Sequence, residues 1–160
     1  ITGATGNVGA QVLEALAGCE PPCELAVTVI MGSAAPGLAQ VREQAQSLPF
    51  PVEIAVDVDD MAARMAAGDF AIGAAGSTSW ERCCMGLPSA LVVLADNQAH
   101  ICRELVTTGA AFELGSPDDI VRKLSTIIAN IGGEPAIIRR MSESAAAICD
   151  GRGTSRPGQE

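Results

Sequence analysis

Glu81 stands just past a turn of small residues, Gly73-Ala74-Ala75-Gly76-Ser77-Thr78-Ser79. A carboxylate accepts two hydrogen bonds side by side, which suits vicinal hydroxyls such as those of a ribose and which an amide or amine does not offer. The same spacing has a second use. With Thr78 as N-cap, Glu81 occupies the third helical position, where a capping box turns the carboxylate back onto the backbone. Both readings are open on spacing alone.

Asp96-Asn97-Gln98 follows the apolar run VVLA. Asp96 or Asn97 is a natural N-cap, but two consecutive amides exceed what capping requires. Each offers donors and acceptors for a sugar or a diphosphate. The opening ITGATGNVG places Gly3, Gly6 and Gly9 in GxxGxxG spacing. Glycines there let the backbone approach a pyrophosphate, and a helix N-terminus favours its charge. Gly3, Thr5, Gly6 and Asn7 are therefore candidate diphosphate contacts, and so are the backbone N–H groups of Gly76, Ser77 and Thr78. An NAD(P) site is the competing use of the first turn. Against it, the strand end VIMGSAAP carries no charged residue for a ribose, and a chain without Tyr lacks the Tyr/Lys pair of short-chain dehydrogenases.

The neighbours of Glu81 have blander uses. Trp80 reads as packing, Cys83 and Cys84 as core filler, and Arg82 either neutralises a phosphate or pairs with an acid such as Asp96. His100 has no clear acid partner and is not a catalytic candidate.

These groups need strand ends to carry them, and the hydrophobic pattern supplies alternating strands and helices. Helical spacing runs from Val8 to Leu16 and stops at Gly18. Strands are expected at 25–31, buried on both faces, and at 52–56, 70–73, 90–94 and 110–113. Helices are expected at 38–47, from a cap at Asp59 or Asp60 through Ala67, and at 79–85, 98–108, 117–129 and 137–149. Gly132 and Gly133 should break the chain between the last two, and Ser116-Pro117-Asp118-Asp119 should cap the first of these. The fold class is α/β, a Rossmann-like parallel sheet with helices on both faces. Ligands of such sheets bind beyond the carboxyl ends of the strands. Residues 1–149 are expected to form one domain and 150–160 a polar tail or link to a missing part. A strand is also expected ahead of Ile1, because one normally precedes such a glycine turn.

The 160 residues suffice for one full core. With three Phe, one Trp and no Tyr, that core must be aliphatic. A net charge of −9 and the lack of any basic run argue against nucleic-acid binding. No apolar run approaches a membrane span. The six Cys show neither zinc spacing nor a disulfide framework, so a cytoplasmic location, no metal and no cofactor are expected.

GAAGSTSWERCCMGLP followed by VVLADNQ closely resembles the carboxy-terminal domain of the UDP-2,4-diacetamido-2,4,6-trideoxy-β-L-altropyranose hydrolases of pseudaminic acid biosynthesis. These are relatives of the MurG-type glycosyltransferases. The similarity extends to VLEAL, VIMGSAAP, DVDDMAARMAAGDFAIGAAGS and DGRG. It implies one half of a GT-B arrangement that grips the UDP of a UDP-sugar, within an inverting nucleotide-sugar hydrolase. Glu81 would hold the uridine ribose, and Ile72 and Gly73 would lie near the uracil through their backbone. Gly76, Ser77 and Thr78 would approach the diphosphate, and Asn97 and Gln98 the diphosphate or sugar. The catalytic histidine would belong to a missing amino-terminal domain in cis, so no catalytic residue is expected here and the chain alone should be inactive. One departure stands out: the family has a Gly-Gly turn followed by Asp where this chain reads Gly3-Ala4-Thr5-Gly6-Asn7. A MurG-like UDP-sugar glycosyltransferase domain is therefore a live alternative, with an NAD(P)-binding domain and a non-catalytic interaction module of nucleotide fold behind it.

Overall fold

The computed structural model describes residues 8–19 and 24–149, so the candidates Gly3, Thr5, Gly6 and Asn7 and the tail from 150 lie outside the described residues. Among the described residues, five strands, parallel to their hydrogen-bonded neighbours, alternate with helices, in the order α1 (Val8–Ala17), β1 (Val27–Met31), α2 (Leu38–Ala45), β2 (Val52–Val56), α3 (Met61–Ala67), β3 (Ala71–Ala74) and α4 (Thr78–Cys84). The chain continues with β4 (Ser89–Val92), α5 (Ala99–Thr107), β5 (Ala111–Gly115), α6 (Ile120–Gly133) and α7 (Ala136–Ile148). Short 3₁₀ turns at Asp96–Gln98 and Pro117–Asp119 lead into α5 and α6.

The strands form two hydrogen-bonded groups, β1-β2 and β3-β4-β5. The central strand β4 is buried along its whole length, and its alternation divides the core. Ala90 and Val92 pack with α1 and α6 through Val12, Leu16, Leu124 and Ile127. Leu91 faces the other way, onto Cys83 of α4, Cys102 and Leu105 of α5 and Ala145 of α7. Helices thus cover both faces, which puts the strand ends, and not a sheet face, in reach of a ligand. A third cluster holds α1 and α2 on the β1-β2 pair through Leu13, Val29 and Val41.

Strand β1 departs from the expected burial on both faces. Thr28 is exposed and donates to Glu53 Oε2 across the pair at 3.4 Å. On that side Arg64 of α3 reaches Glu53 Oε1 at 2.9 Å, so the face carries polar pairs. Asp60 likewise does not cap α3, because its Oδ1 accepts from Arg64 Nε at 2.7 Å.

Gly132 and Gly133 do not break the chain, since α6 runs through both. A glycine costs about 1 kcal/mol in a helix interior and less in a fraying last turn. The stop comes at Glu134 (φ −140°, ψ 86°), which the following Pro135 drives out of the helical region. The expected cap at the front of α6 is present. Ser116 N–H and Oγ both meet Asp119 Oδ2, at 3.3 and 3.1 Å.

Gly115, at the end of β5, has φ +84°, and a Cβ there would lie 2.8 Å from Asp119 Oδ2. Gly115→Ala therefore meets a left-handed backbone and the capping carboxylate together. A loss of about 2 kcal/mol is expected in urea unfolding. A change below about 0.5 kcal/mol would contradict this account of the turn.

Candidate functional site

Strands β3 and β4 end side by side, with Ala74 opposite Val92. Ala75 N–H continues the ladder to Val92 O at 2.9 Å, and Val93 N–H donates to Gly115 O at 2.7 Å. The small-residue turn after β3 and the Asp96-Asn97-Gln98 segment after β4 are therefore neighbours. Gln98 crosses between them: its Oε1 accepts from Leu94 N–H at 3.0 Å, and its Nε2 lies 3.7 Å from where a Cβ on Gly76 would stand. Gly76 needs no unusual backbone angle, and a Cβ there would sit in ordinary van der Waals contact with the Gln98 amide.

At the turn itself, Ser79 N–H bonds Gly76 O and Trp80 N–H bonds Ser77 O, at 3.0 and 3.1 Å. Among the described residues, nothing accepts from the N–H groups of Gly76, Ser77 or Thr78. Three backbone donors are left at one strand end, a geometry suited to phosphate oxygens.

Glu81 is exposed, and among the described residues its carboxylate makes neither a capping hydrogen bond nor an ion pair. The competing cap use drops out, because α4 has no side-chain cap. Asp96 and Asn97 are also exposed, and no side chain caps the 3₁₀ turn they open. Ladder parity sets the backbone of β3. Ala71 and Ala75 donate toward β4, so Gly73 does too, whereas Ile72 and Ala74 turn their N–H and C=O to the opposite edge. Of the two residues expected near a base, Ile72 has the backbone groups not used by β4.

Several side-chain readings change. Trp80 is 39% exposed and lies on the surface of α4 instead of packing, and Cys84 is exposed while only Cys83 is buried. Burial pushes the Cys83 thiol up to about 11, so it is protonated at neutral pH and unsuited to nucleophilic attack. Arg82 does not pair with Asp96. It is buried, with Nη2 donating to Ala74 O at 2.8 Å and to Ser79 Oγ at 2.9 Å. His100 is on the surface, 3.9 Å from Glu104.

Asp57 escaped the sequence reading. It follows β2 with φ 49°, and its Oδ1 accepts from Ser33 N–H after β1 at 2.8 Å. The Ser33 side chain, and then its backbone N–H, hold the Asp57 carboxyl below the usual range. The positive φ at a non-glycine residue is invisible to hydropathy, although an Asp just past a strand is a common place for it. A cleft of about 240 Å³ between α1 and α2, lined by Glu14, Glu43 and Gln44 among others, is on the helical surface and not at these strand ends. Among the described residues there is no cluster of potential metal ligands and no helix long and apolar enough to cross a membrane.

No family model matches the chain. It is 32% identical over 150 residues to the UDP-N-acetylglucosamine--N-acetylmuramyl-(pentapeptide) pyrophosphoryl-undecaprenol N-acetylglucosamine transferase of Erythrobacter litoralis, a match covering 88% of this chain and 38% of that protein. A transferase of the same name from Sorangium cellulosum is 36% identical over 96 residues, covering 57% of this chain and 24% of the relative. The chain thus spans well under half the length of either. Among solved structures, Acinetobacter baumannii MurG superposes with a TM-score of 0.71 at 18% identity, covering 97% of this chain and 48% of MurG. The architecture is an α/β Rossmann-like half-domain resembling one lobe of a GT-B fold. These relatives correct the expected identity: the chain is related to MurG-like glycosyltransferases, not to a hydrolase of pseudaminic acid precursors. The reason is chemical. A site that holds the nucleotide of a UDP-sugar would be built alike whether the sugar passes to water or to another acceptor, so the residue order of 71–98 does not separate the two.

Proposed function

We propose that this chain is the donor-binding half of a GT-B glycosyltransferase, holding the UDP of a UDP-sugar at the ends of β3 and β4. The observation that carries this reading is the juxtaposition of three unused N–H donors at 76–78 with an uncommitted carboxylate at Glu81. Glu81 accepts from both ribose hydroxyls, and the free edge of β3 at Ile72, with Gly73 beside it, meets the uracil. Gly76, Ser77 and Thr78 donate to the diphosphate. Asn97 and the Nε2 of Gln98 contact diphosphate or sugar, and Gly3, Thr5, Gly6 and Asn7, outside the described residues, are further candidates for the diphosphate. The two transferases matched above name UDP-N-acetylglucosamine as their donor, which supports a UDP-sugar here.

In transfer, negative charge builds on the departing UDP, and donors fixed in place before the reaction stabilise it. The acceptor and the group that activates it come from outside these residues. The chain is therefore expected to bind UDP and to turn over nothing by itself. Titration of the 160-residue protein with UDP and with NADPH separates this reading from a dinucleotide site. Saturable UDP binding with NADPH at least about tenfold weaker is expected. Selective NADPH binding that survives E81A would overturn it.

A further inference from the structure

Arg82 is the one charged side chain among the buried residues described, only 3% exposed, and no carboxylate lies within ion-pair distance of it among the described residues. Its Nε is buried without any hydrogen-bond partner. A guanidinium left this way is unusual. Arginine is seldom fully buried unless paired, and burying it uncompensated is costly. The side chain is nevertheless pinned. Nη2 bonds Ala74 O, which faces the edge of β3 away from β4, and Ser79 Oγ, which itself donates to Ala74 O at 3.4 Å. Ala74 and Ser79 bracket the turn whose N–H groups at 76–78 are unused, so the cation is held at the base of that turn. Desolvation by burial lowers its pKa, the mark of a charge with too little compensation, and outweighs the opposing influence of the neighbouring Cys83 and Glu81.

We propose that Arg82 is a positioning residue, whose buried, unpaired guanidinium supplies the positive charge of an anion subsite at the β3–α4 turn that takes the diphosphate of the ligand. This rests on the nucleotide-diphosphate reading above. Arg82 acts by two routes. Its hydrogen bonds to Ala74 O and Ser79 Oγ fix the turn with its donors outward, and its charge, poorly screened in the interior, favours a polyanion there. The net charge of the chain, −9, gives no such attraction, so among the described residues this buried cation is the charge that supplements the three N–H donors of the subsite.

The test compares UDP, uridine and inorganic pyrophosphate on the wild-type chain and on R82Q, R82M and R82K by calorimetry. R82Q keeps a donor for Ala74 O without the charge. The expected result is a loss of at least about tenfold in UDP and pyrophosphate affinity for R82Q and R82M, uridine affinity within about twofold, and substantial rescue in R82K. A merely structural arginine would lower UDP and uridine binding together, and that outcome overturns the proposal. Should the neutral variants not fold, the Arg82 Nε–H resonance of the wild-type protein decides. It is expected to shift with UDP and with pyrophosphate but not with uridine, and an unmoved resonance counts against the subsite. UDP binding that R82Q leaves intact defeats the role of Arg82 and spares the nucleotide reading. Arg82-dependent pyrophosphate binding without UDP or uridine binding does the reverse. Binding of neither UDP nor pyrophosphate removes both.

Discussion

Replacement of Glu81 by alanine is expected to weaken UDP binding by about 30- to 150-fold, the equivalent of roughly 2–3 kcal/mol for charge-assisted hydrogen bonds lost from a ribose. The fold should not notice. Glu81 is exposed and tied to nothing among the described residues, so the variant is expected to unfold within about 0.5 kcal/mol of the wild type. That separation of binding from stability distinguishes a ligand-holding carboxylate from a capping one, whose removal would cost about 1 kcal/mol of stability and little affinity. The complementary ligand change sharpens the point. The wild-type chain is expected to bind 2′-deoxy-UDP much more weakly than UDP, and E81A to bind the two alike. Calorimetric titration of both ligands checks this, and an E81A protein that binds UDP within twofold of the wild type sinks the assignment.

Leu91→Ala is expected to cost about 3–4 kcal/mol of folding stability, the largest effect of any single truncation considered. Leu91 is fully buried at the middle of β4, the strand hydrogen-bonded on both sides. Its side chain is the sheet's contribution to the cluster that joins α4, α5 and α7. Apart from Leu105, those three helices meet the sheet there with small residues, Cys83, Cys102 and Ala145, which cannot expand into the space left behind. The cavity therefore persists, and its cost adds to the lost transfer energy. For a domain of this size the melting temperature should fall by about 10 °C. Urea unfolding monitored by circular dichroism gives the number. A loss below about 1 kcal/mol would mean that β4 is not the centre of the sheet.

Much of the architecture was legible because its signals are local. Apolar runs at strand length, helical spacing from Val8 to Leu16 and the Ser116–Asp119 cap each found their element within a residue or two. The misreadings came where tertiary partners overrode local preference. Gly132 and Gly133 stayed helical because Pro135 sets the boundary, and Asp60 turned to Arg64 instead of capping. Thr28 kept one face of β1 polar by pairing with Glu53, a residue 25 positions away. The site divides in the same manner. That the small-residue turn at 73–79 and the Asp96-Asn97-Gln98 segment lie at neighbouring strand ends follows from the alternation of strands and helices, and Glu81 and Gln98 were candidates on their chemistry. The inward turn of Arg82 could not, since a residue beside an exposed Glu81 on a short helix gives no sign of facing the core. The chemistry of the whole protein was misjudged for a further reason. Residues that would hold a nucleotide say nothing of the acceptor, so the order of residues from 71 to 98 pointed to the fold and to a hydrolase, and only the first of these held.

The most direct test of the central claim is a crystal structure of this chain with UDP bound. The account predicts ribose hydroxyls about 2.6–3.2 Å from the Glu81 carboxylate and phosphate oxygens on the N–H groups of Gly76, Ser77 and Thr78. UDP seated elsewhere, or Glu81 turned to solvent beside a bound nucleotide, would contradict it.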